Sequence, residues 1–475
     1  METRLIILEI VNTDPLRVYR NEYFPYIQAL VRGQGIPCRW VSLGVEARTA
    51  ATGANLYLFS PPSEGLDESC AVLAAFRPSH VLLNERLAPE AFTRLCGAVP
   101  AARFLMTEAA PGSQVLERLR SWMGLDTGEG PADGQLLEEF VRPDFERIPI
   151  NALARTIRPY PSLLVGPHCA YVRPLTDHPD FLALPPEVRA HRGCSFCLTS
   201  DPGLFTPRTG PVELAMAQLQ GAAESLDPSL QDRSFLVRGV NLLPRIDHFA
   251  AALEAAGTPP TTFFLSTRID QVLRVEERLR SALPVLSRGG HRIHIWNMGV
   301  ENHSPRENQR FNKGLTPEVL RRGEALVRDL ADAFPEAFVF GEWGTILYTP
   351  WTTPGDLRLN FAALQERDPA EAHFALGTAL QLLPGLPLTR LAEADGLLCE
   401  SFDDLPTDSG CISTWDGYEV PWRFRDPRAA RMYSLTRRFL PRGIIPVDDP
   451  LLATVSSWIH SLSRAARMNM DDVNI

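Results

Sequence analysis

Two cysteines separated by two residues are the sharpest chemical signal in this sequence. Cys194 and Cys197 can direct both sulfurs at one metal centre, and Gly193 lets the backbone approach that centre closely. A third cysteine, Cys169, follows a strand predicted at 163–165, and a proline-rich stretch that indicates an irregular loop separates it from the pair. Three thiolates on such a loop would hold a 4Fe-4S cluster and leave one iron open for a substrate.

Two other interpretations of these cysteines stay open. A zinc site would use the same sulfurs with a fourth ligand from His168 or His191, which closes the ligand shell. The three cysteines would otherwise be buried thiols that bind nothing. Nearer the end of the chain, Cys399 and Cys411 are candidate catalytic thiols that could donate a hydrogen atom, although such cysteines more often act as small buried hydrophobic residues.

Short apolar runs alternate with helical patterns in the first part of the chain. Buried strands are predicted at 5–11, 40–43, 56–59, 81–84 and 104–106. Strands separated by helices are joined by right-handed crossovers, so this pattern predicts a doubly wound, Rossmann-like α/β domain with a parallel sheet. We assign residues 1–125 to this domain and the polar, glycine-rich segment 126–160 to a linker.

A second series of strand–helix units follows the linker. Strands are predicted at 163–165, 235–237, 263–265, 293–298, 338–341 and, less regularly, 386–388. Repeated βα units predict a partial or full (β/α) barrel over residues 161–400, with its chemistry at the carboxyl ends of the strands. Thr316 and Pro317 have the N-cap and first-turn positions of a long helix. Residues 401–475 are assigned to a helical C-terminal extension.

The flanks of the cysteine pair resemble those of the radical S-adenosylmethionine (radical SAM) family. Members of that family usually carry a C-x3-C-x2-C motif, often with Arg-Gly before the second cysteine and an aromatic residue before the last. Arg192, Gly193 and Phe196 match these flanks. The chain departs from the motif at its first position, where Ala190 stands. Under this resemblance Cys169 would supply the third ligand through a long loop.

Four later segments are similar to motifs of the same family and come in the family's order. They resemble the ends of the third and fourth barrel strands, the run that follows the fourth strand, and the segment after the fifth. In this chain they are 266–270, 298–302, 310–316 and 349–360. The glycine-rich segment that is common after the second strand is replaced by 239–241. The resemblance covers residues 163–360.

The resemblance implies the chemistry of that family. Its members bind SAM at the open iron and reduce it to a 5′-deoxyadenosyl radical, with an electron from a flavodoxin or ferredoxin. The radical takes hydrogen from an unactivated C–H bond of the substrate, here a small molecule or a peptide. By position, Arg268 would contact the SAM carboxylate, Glu301 its ribose or amino group, and Asn241 the same cofactor. Phe196 would pack against the adenine or the cluster.

The first domain resembles the cobalamin-binding domain that precedes many radical SAM barrels. Its length, position and strand order fit, but the D-x-H-x-x-G motif, whose histidine replaces the lower ligand of cobalt, is absent. His80 is the only histidine before residue 168, and it begins a strand. The resemblance therefore implies cobalamin bound without histidine ligation, and methylation or rearrangement as the outcome. A domain that has lost cobalamin is the alternative.

Charge and hydropathy exclude several classes of partner. The formal net charge is −10 and Lys and Arg are not clustered, so we expect binding neither to nucleic acid nor to an anionic membrane. No stretch approaches the ~20 apolar residues of a membrane helix, and the first residues lack the basic region of a signal peptide. A cytoplasmic protein with reduced thiols is expected. A degenerate, non-catalytic scaffold, which Ala190 favours, and a zinc-stabilised α/β protein are the alternative functions.

Overall fold

The computed structural model describes the chain in separate ranges. These are 3–12, 24–45, 62–84, 87–106, 122–123, 146–151, 154, 162–165, 169, 171–197, 210–225, 233–239, 242–367, 375–376, 378–399 and 420–439. The strand predicted at 56–59 lies outside them. So do the candidate site residues Asn241 and Cys411, and most of the predicted C-terminal extension.

Five parallel strands form the first sheet. They are β1 (Leu5–Asn12), β2 (Cys38–Val45), β3 (His80–Leu83), β4 (Arg103–Met106) and β5 (Arg147–Pro149). Helices α1 (Phe24–Gly33), α2 (Ser63–Phe76) and α3 (Pro89–Ala98) follow the first three strands. The strand order is β4-β3-β1-β2-β5, so the chain adds β2 on one side of β1 and β3 on the other. This is the arrangement of a doubly wound sheet, and it confirms the predicted parallel α/β architecture.

Asn84 closes the point where the first sheet changes direction, between β1 and β3. Its Oδ1 accepts a hydrogen bond from the Ile10 N–H at 2.7 Å, and its Nδ2 donates to the Ile10 carbonyl at 3.0 Å. The side chain thereby imitates one more residue of backbone pairing beyond the end of β3. The Asn84 side chain is therefore used by the sheet itself.

The second sheet is also parallel and has five strands. They are β6 (Ser162–Leu164), β7 (Ser234–Arg238), β8 (Thr262–Arg268), β9 (Arg292–Glu301) and β10 (Phe338–Thr345). Their order is β10-β9-β8-β7-β6, which is the chain order. A sequential parallel order requires a crossover between each pair of strands, as repeated βα units predict. The described strands give an open order from β6 to β10, and what is shown is an α/β fold with two parallel sheets.

Ten further helices accompany the second sheet and the segments around it. They are α4 (Pro186–Arg189), α5 (Pro211–Ser225), α6 (Ile246–Ala255), α7 (Ile269–Arg274), α8 (Glu276–Arg288), α9 (Pro305–Arg310), α10 (Pro317–Ala333), α11 (Pro354–Leu364), α12 (Pro387–Ala394) and α13 (Pro427–Phe439). Among the helices that the structure describes, none is both long and apolar enough to cross a membrane.

The long helix α10 begins where its sequence predicts. The Thr316 hydroxyl accepts a hydrogen bond from the Val319 N–H at 3.2 Å, and Pro317 occupies the first turn, where its missing N–H costs nothing. The buried residues of the helix recur at intervals of three and four positions, which places them on one face. They are Leu320, Gly323, Leu326, Val327 and Leu330.

The sixth strand predicted at 386–388 is wrong. Leu386 is the N-cap of α12, and Pro387 is the first residue of that helix. Three apolar residues in a row fit a buried strand and a buried helix start equally well, so hydrophobicity alone does not separate them. Proline decides the case, because its fixed φ suits the first turn of a helix and it cannot donate to a strand ladder.

The chain divides into two compact units. The first comprises Met1–His168, Pro202–Phe264 and Val285–Arg292, and the second comprises Cys169–Asp201, Leu265–Pro284 and Ile293–Ile475. In the first unit, every second residue of β1, from Ile6 to Ile10, enters an aliphatic core. In the second unit the core is rich in aromatic side chains, among them Phe181, Phe311, Tyr348, Trp351, Trp422 and Tyr433. The domain boundaries predicted at 125, 160 and 400 stay predictions.

Candidate cysteine site

The loop that carries the cysteine pair, residues 191–197, is paired with the segment that follows Cys169. Pro174 forms an antiparallel bridge with this cysteine loop, and the Gly193 N–H donates to the Arg173 carbonyl at 2.9 Å. Gly193 has a φ of 98°, a backbone conformation that residues with a side chain rarely adopt, so glycine is required here. The backbone thus folds the distant Cys169 segment back against the pair.

The proline-rich stretch between Cys169 and Cys194 contains regular structure and packs into the core through Phe181. It contains a 3-10 turn, Pro179–Phe181, in which the Phe181 side chain is fully buried, and it ends in α4. Ala190, the position of the missing first cysteine of the family motif, caps the end of α4. Its N–H donates to the Pro186 carbonyl at 2.9 Å and its side chain is exposed. This position therefore belongs to a helix end that faces solvent.

The segment 310–314 forms several hydrogen bonds with the cysteine loop, and we call it the brace segment. Its Asn312 Nδ2 donates to the carbonyls of Gly193 at 2.7 Å and Arg173 at 3.0 Å, which locks both paired strands of the loop together. Asn312 has a φ of 51°, a left-handed conformation that asparagine tolerates. Ser195 donates from its backbone and its hydroxyl to carbonyls of the same segment, at 3.0 and 2.8 Å.

Arg268, the last residue of β8, reaches the sulfur of Cys194. Its Nη1 donates to Cys194 Sγ at 3.2 Å, its Nη2 donates to the Lys313 carbonyl at 2.6 Å, and its Nε donates to Asp270 Oδ1 at 2.9 Å. The guanidinium carbon lies 3.8 Å from the centre of the Tyr171 ring, a stacked cation–π contact. Only 7% of Arg268 is exposed. Three of its five N–H groups are engaged, and two remain for another acceptor.

Lys313 and Glu301 form a buried ion pair beside the cysteine loop. Lys313 Nζ contacts Glu301 Oε1, with the two side chains 3% and 12% exposed. A β-carbon at Gly299 would lie 2.6 Å from Lys313 Nζ and 2.8 Å from Glu301 Oε1, so the pair needs the space that glycine leaves. Glu301 has a φ of 62°, which is strained for a residue other than glycine.

The two cations influence the thiols of the site in the same way. Burial raises the pKa of the Cys194 thiol to about 12, although the Lys313 and Arg268 charges act to lower it. Burial also raises the pKa of Cys169, and the same two cations oppose the increase. A thiolate at Cys197 would raise the pKa of both other thiols. The three sulfurs are therefore electrostatic neighbours, and the Lys313 and Arg268 charges favour the thiolate forms of Cys169 and Cys194.

No group of three Cys, His, Asp or Glu side chains among the described residues is arranged to hold a metal ion as it stands. A single metal ion bound by Cys169, Cys194 and Cys197 would therefore require their sulfurs to move closer together, whereas a 4Fe-4S cluster takes each sulfur on a different iron. The donor chemistry nevertheless fits an iron–sulfur cluster, because three soft thiols meet two cations that offset negative charge. His168 lies outside the described residues, and the ring of His191 bonds to the Cys194 carbonyl at 3.0 Å.

The remaining predicted site residues have different surroundings. Phe196 is half-buried, packs edge-to-face on Phe311 with ring centres 5.1 Å apart, and has Lys313 Nζ 6.0 Å from its ring centre. The Phe196 ring therefore lies beside the Lys313–Glu301 ion pair. Cys399 is half-buried, and its N–H donates to the Pro421 carbonyl at 2.9 Å, which ties it to the segment 420–425. Asn241 and Cys411 are not described.

Residues 302–310 and 349–360, which carry some of the family-like motifs, form a buried polar network. Glu307 pairs with Arg310 and accepts a hydrogen bond from the Thr349 hydroxyl at 2.8 Å. Asp356 accepts from the Ser304 hydroxyl at 2.5 Å and completes the capping box that starts α11. Burial raises the pKa of Glu307. These contacts join the elements around the brace segment.

Two contributors to the site were not predicted as ligands or cofactor contacts. Tyr171 supports the Arg268 guanidinium, and Asn312 clamps the loop. The motif match at 310–316 was the available signal for Asn312, because asparagine tolerates the left-handed conformation that turns require. A tyrosine on an irregular loop gives no such signal.

A cavity of about 450 Å³ borders the brace segment at Gly314. Its lining includes Arg173, Asp177, Asn308 and Gly314 and the start of α10 at Thr316. A cavity of this size accommodates a small molecule. None of the three cysteines lines it, so the cavity and the cysteine site are separate features.

Comparison with known proteins identifies no relative by sequence. No family model matches the chain, and no curated protein matches it. Similar solved structures include a mutational variant of SsGBP, at 12% identity over 69% of this chain and 99% of the other, with a TM-score of 0.16. SsGBP in complex with GDP gives 12% identity over 70% and 99% at a TM-score of 0.18. A glycosyltransferase from Rickettsia africae ESF-5 gives 10% identity over 98% and 97% at a TM-score of 0.19. At these TM-scores the similarities support no conclusion about fold or function.

Proposed function

We propose that this chain is a radical SAM enzyme that cleaves SAM reductively at a 4Fe-4S cluster and functionalises an unactivated C–H bond. The observation that carries the proposal is the return of the Cys169 segment onto the loop of Cys194 and Cys197. The sequence separates Cys169 widely from the pair, and backbone pairing brings the segment after it to the loop of Cys194 and Cys197, near Arg268 and Lys313. The sequential parallel order of β6–β10 is compatible with a partial (β/α) barrel of the radical SAM type.

Cys169, Cys194 and Cys197 would hold the cluster, and no fourth protein ligand is proposed. The bound cluster and SAM would supply one-electron chemistry and a carbon-centred radical. The residues of this chain would orient SAM and exclude water. The two unused N–H groups of Arg268 suit a carboxylate, and the Glu301 carboxylate would accept hydrogen bonds from hydroxyl or amino groups. Asn241 stays a proposed cofactor contact.

Phe196 would keep water from the site. It lies next to the Lys313–Glu301 pair and packs on Phe311, so its ring covers the charged groups on one side. Excluding water strengthens the electrostatic contacts within the site and limits side reactions, and it is a task for the protein. Cys399 and Cys411 stay weak candidates for donors of a hydrogen atom.

The first domain, residues 1–125, is proposed to bind cobalamin without a histidine ligand, in support of methylation or rearrangement. His80 is unsuited to reach a cofactor, because it is buried at the start of β3 and its ring packs on Trp122 with centres 4.7 Å apart. Its Nδ1 also lies 2.8 Å from the Ser79 hydroxyl. The proposed partners are a small-molecule or peptide substrate and a flavodoxin or ferredoxin, and the proposed location is the cytoplasm.

The second candidate is a non-catalytic radical SAM-like binding or scaffold protein. It is favoured by the absence of a ready metal-holding group in the described part of the chain and by the exposed Ala190. The third is a zinc-stabilised α/β protein. Metal content separates the third candidate from the first, and release of 5′-deoxyadenosine from SAM separates the second from the first.

The test starts with the whole chain, purified and reconstituted anaerobically with iron and sulfide. The enzyme should bind iron and acid-labile sulfide, become brown, and release 5′-deoxyadenosine from SAM when dithionite is added. Cys194→Ala and Cys197→Ala should lose the cluster and the product completely. Cys96→Ala, which changes a cysteine on α3 in the first unit, is the matched control and should retain both.

Two results would contradict the enzyme, and a third would contradict the ligand assignment. Stoichiometric zinc in colourless protein would establish the zinc-stabilised alternative. A cluster that forms without release of 5′-deoxyadenosine would favour the scaffold. Unchanged activity in Cys194→Ala would remove Cys194 from the ligand set.

A further inference from the structure

The contact between Arg268 and Cys194 gives Arg268 a second role, which rests on the proposed function. We propose that Arg268 is a positioning residue that donates a hydrogen bond to the sulfur of Cys194 and thereby makes the cluster easier to reduce. In the family-based interpretation Arg268 was assigned to SAM. The geometry assigns a different N–H group of the same side chain to the ligand sulfur.

The guanidinium is fixed in place before any ligand binds. Asp270 holds Nε at 2.9 Å, the Lys313 carbonyl holds Nη2 at 2.6 Å, and the Tyr171 ring stacks at 3.8 Å. A planar group held at two nitrogens and one face has no freedom to rotate. The remaining Nη1 is directed at Cys194 Sγ, 3.2 Å away. The sulfur contact is thus a consequence of the surrounding contacts and costs little further ordering.

The charged groups around Arg268 nearly balance one another, so Arg268 acts on the sulfur as a directed hydrogen-bond donor. Asp270 bonds Arg268 and also Arg274, whose Nη2 lies 3.0 Å from Asp270 Oδ2, so two cations share one carboxylate. Arg274 is 66% exposed and therefore largely screened by solvent. Lys313 is paired with Glu301 and contributes little net charge. The donor that acts directly on Cys194 is Arg268.

A hydrogen bond and a positive charge at a ligand sulfur stabilise the more negative state of a cluster. Reduction adds an electron, so the reduced state gains more from Arg268 than the oxidised state does. Removing the donor should therefore make reduction harder. A radical SAM enzyme needs a reduced cluster, so Arg268 would affect the first step of the reaction without contacting the substrate.

The experiment measures the cluster potential directly and does not depend on activity. Wild type, Arg268→Gln, Arg268→Lys and Arg280→Gln are reconstituted anaerobically. Iron and sulfide are quantified, and the cluster is titrated with dithionite and redox mediators while its EPR signal is followed. Arg280, on α8, pairs with Glu276 and Asp329 at the surface and is the matched control.

We expect the four proteins to carry equal amounts of cluster. Arg268→Gln should have a more negative reduction potential than wild type, because a neutral amide is a weaker donor without charge. Arg268→Lys, which keeps the charge without the planar fork, should lie between them. Arg280→Gln should titrate like wild type.

Two results would overturn the inference while the proposed function stands. One is an Arg268→Gln cluster with the wild-type potential. The other is loss of the cluster from both Arg268 variants, which would show that the residue is needed for assembly and not for tuning. If the wild type itself binds no iron, the proposed function fails, and this outcome is distinguished from the others by the iron analysis alone.

Discussion

His303 lies in a buried charged group that fixes its protonation state. Arg367 Nη2 donates to His303 Nε2 at 2.9 Å and to Glu324 Oε1 at 2.7 Å, so this ring nitrogen must be unprotonated. Burial and the Arg367 charge lower the pKa of His303 to about 3. The residue follows the family-like motif at 298–302, and its function is to hold the surrounding structure.

The neutral His303 predicts a loss of stability in mild acid. Its folded pKa is below the unfolded value of 6.5, so the unfolded chain binds a proton first as the pH falls. The contribution of neutral His303 to the free energy of unfolding is therefore fully present above pH 6.5. It decreases as the pH falls from 6.5 toward 3. His303→Gln, whose amide oxygen can still accept from Arg367, should lose less stability than wild type between pH 7 and pH 5. Thermal unfolding at several pH values measures this.

The control for this pH effect is His248→Gln, which changes an exposed histidine on α6. It should follow the wild-type pH dependence. A His303→Gln protein that loses as much stability as wild type between pH 7 and pH 5 would show that His303 does not contribute in that window.

The sequence predicted which residues of the candidate site lie at strand ends. It did not predict the side chains with which they form hydrogen bonds. The sequence placed Arg268 and Glu301 at strand ends, and the structure confirms those positions as the last residues of β8 and β9. It did not predict that Arg268 bonds to Cys194. Side-chain partners depend on the approach of segments that are 74 residues apart in sequence, and no local pattern encodes that approach.

At the level of elements, the packing of α7 against α10 depends on Gly323. A β-carbon at this position would lie 2.7 Å from Ile269 Cδ1, well inside van der Waals contact. Ile269 and Gly323 are both buried, so the isoleucine has no open space into which it can move. The small residue on α10 and the large one on α7 are therefore complementary.

Gly323→Ala should destabilise the chain. Overpacking a core costs about 1–3 kcal/mol, which exceeds the ~1 kcal/mol that alanine gains over glycine inside a helix. We expect a net loss of ~1 kcal/mol, seen as a lower denaturant midpoint. Gly97→Ala on α3, where no atom lies within 4 Å of the added carbon, is the control and should stabilise slightly. A Gly323→Ala protein as stable as the control would contradict tight packing of α7 on α10.

Elements were predicted best where two signals agreed. Thr316 and Pro317 marked the start of α10 because capping chemistry and apolar periodicity indicate the same boundary. The strand predicted at 386–388 failed because hydrophobicity was its only signal. The short strand β5 was missed because its three residues, Arg147–Pro149, include a proline and show no alternation. Proline fits there because β5 is at the edge of the sheet.

On the scale of the whole molecule, β5 shows how far the first sheet extends along the chain. It pairs with β2, and the Ile150 N–H continues the pairing by donating to the Ser42 carbonyl at 2.8 Å. Asn151 then bonds both backbone groups of Gly44, at 3.0 and 2.8 Å. Composition assigned this segment to a linker, since glycine and polar residues dominate its surroundings. Long-range strand pairing is the information that composition lacks.

The position of β5 predicts different behaviour for two fragments of the first unit. A fragment of residues 1–125 would leave the edge of β2 unpaired, and an open strand edge promotes aggregation. A fragment of residues 1–152 would keep β5 and both Asn151 bonds. We expect fragment 1–152 to be more soluble and to unfold at a higher temperature by circular dichroism. Asn151→Ala in fragment 1–152 should lower that temperature toward the value for 1–125. Equal unfolding temperatures for the two fragments would mean that β5 adds nothing to the stability of the sheet.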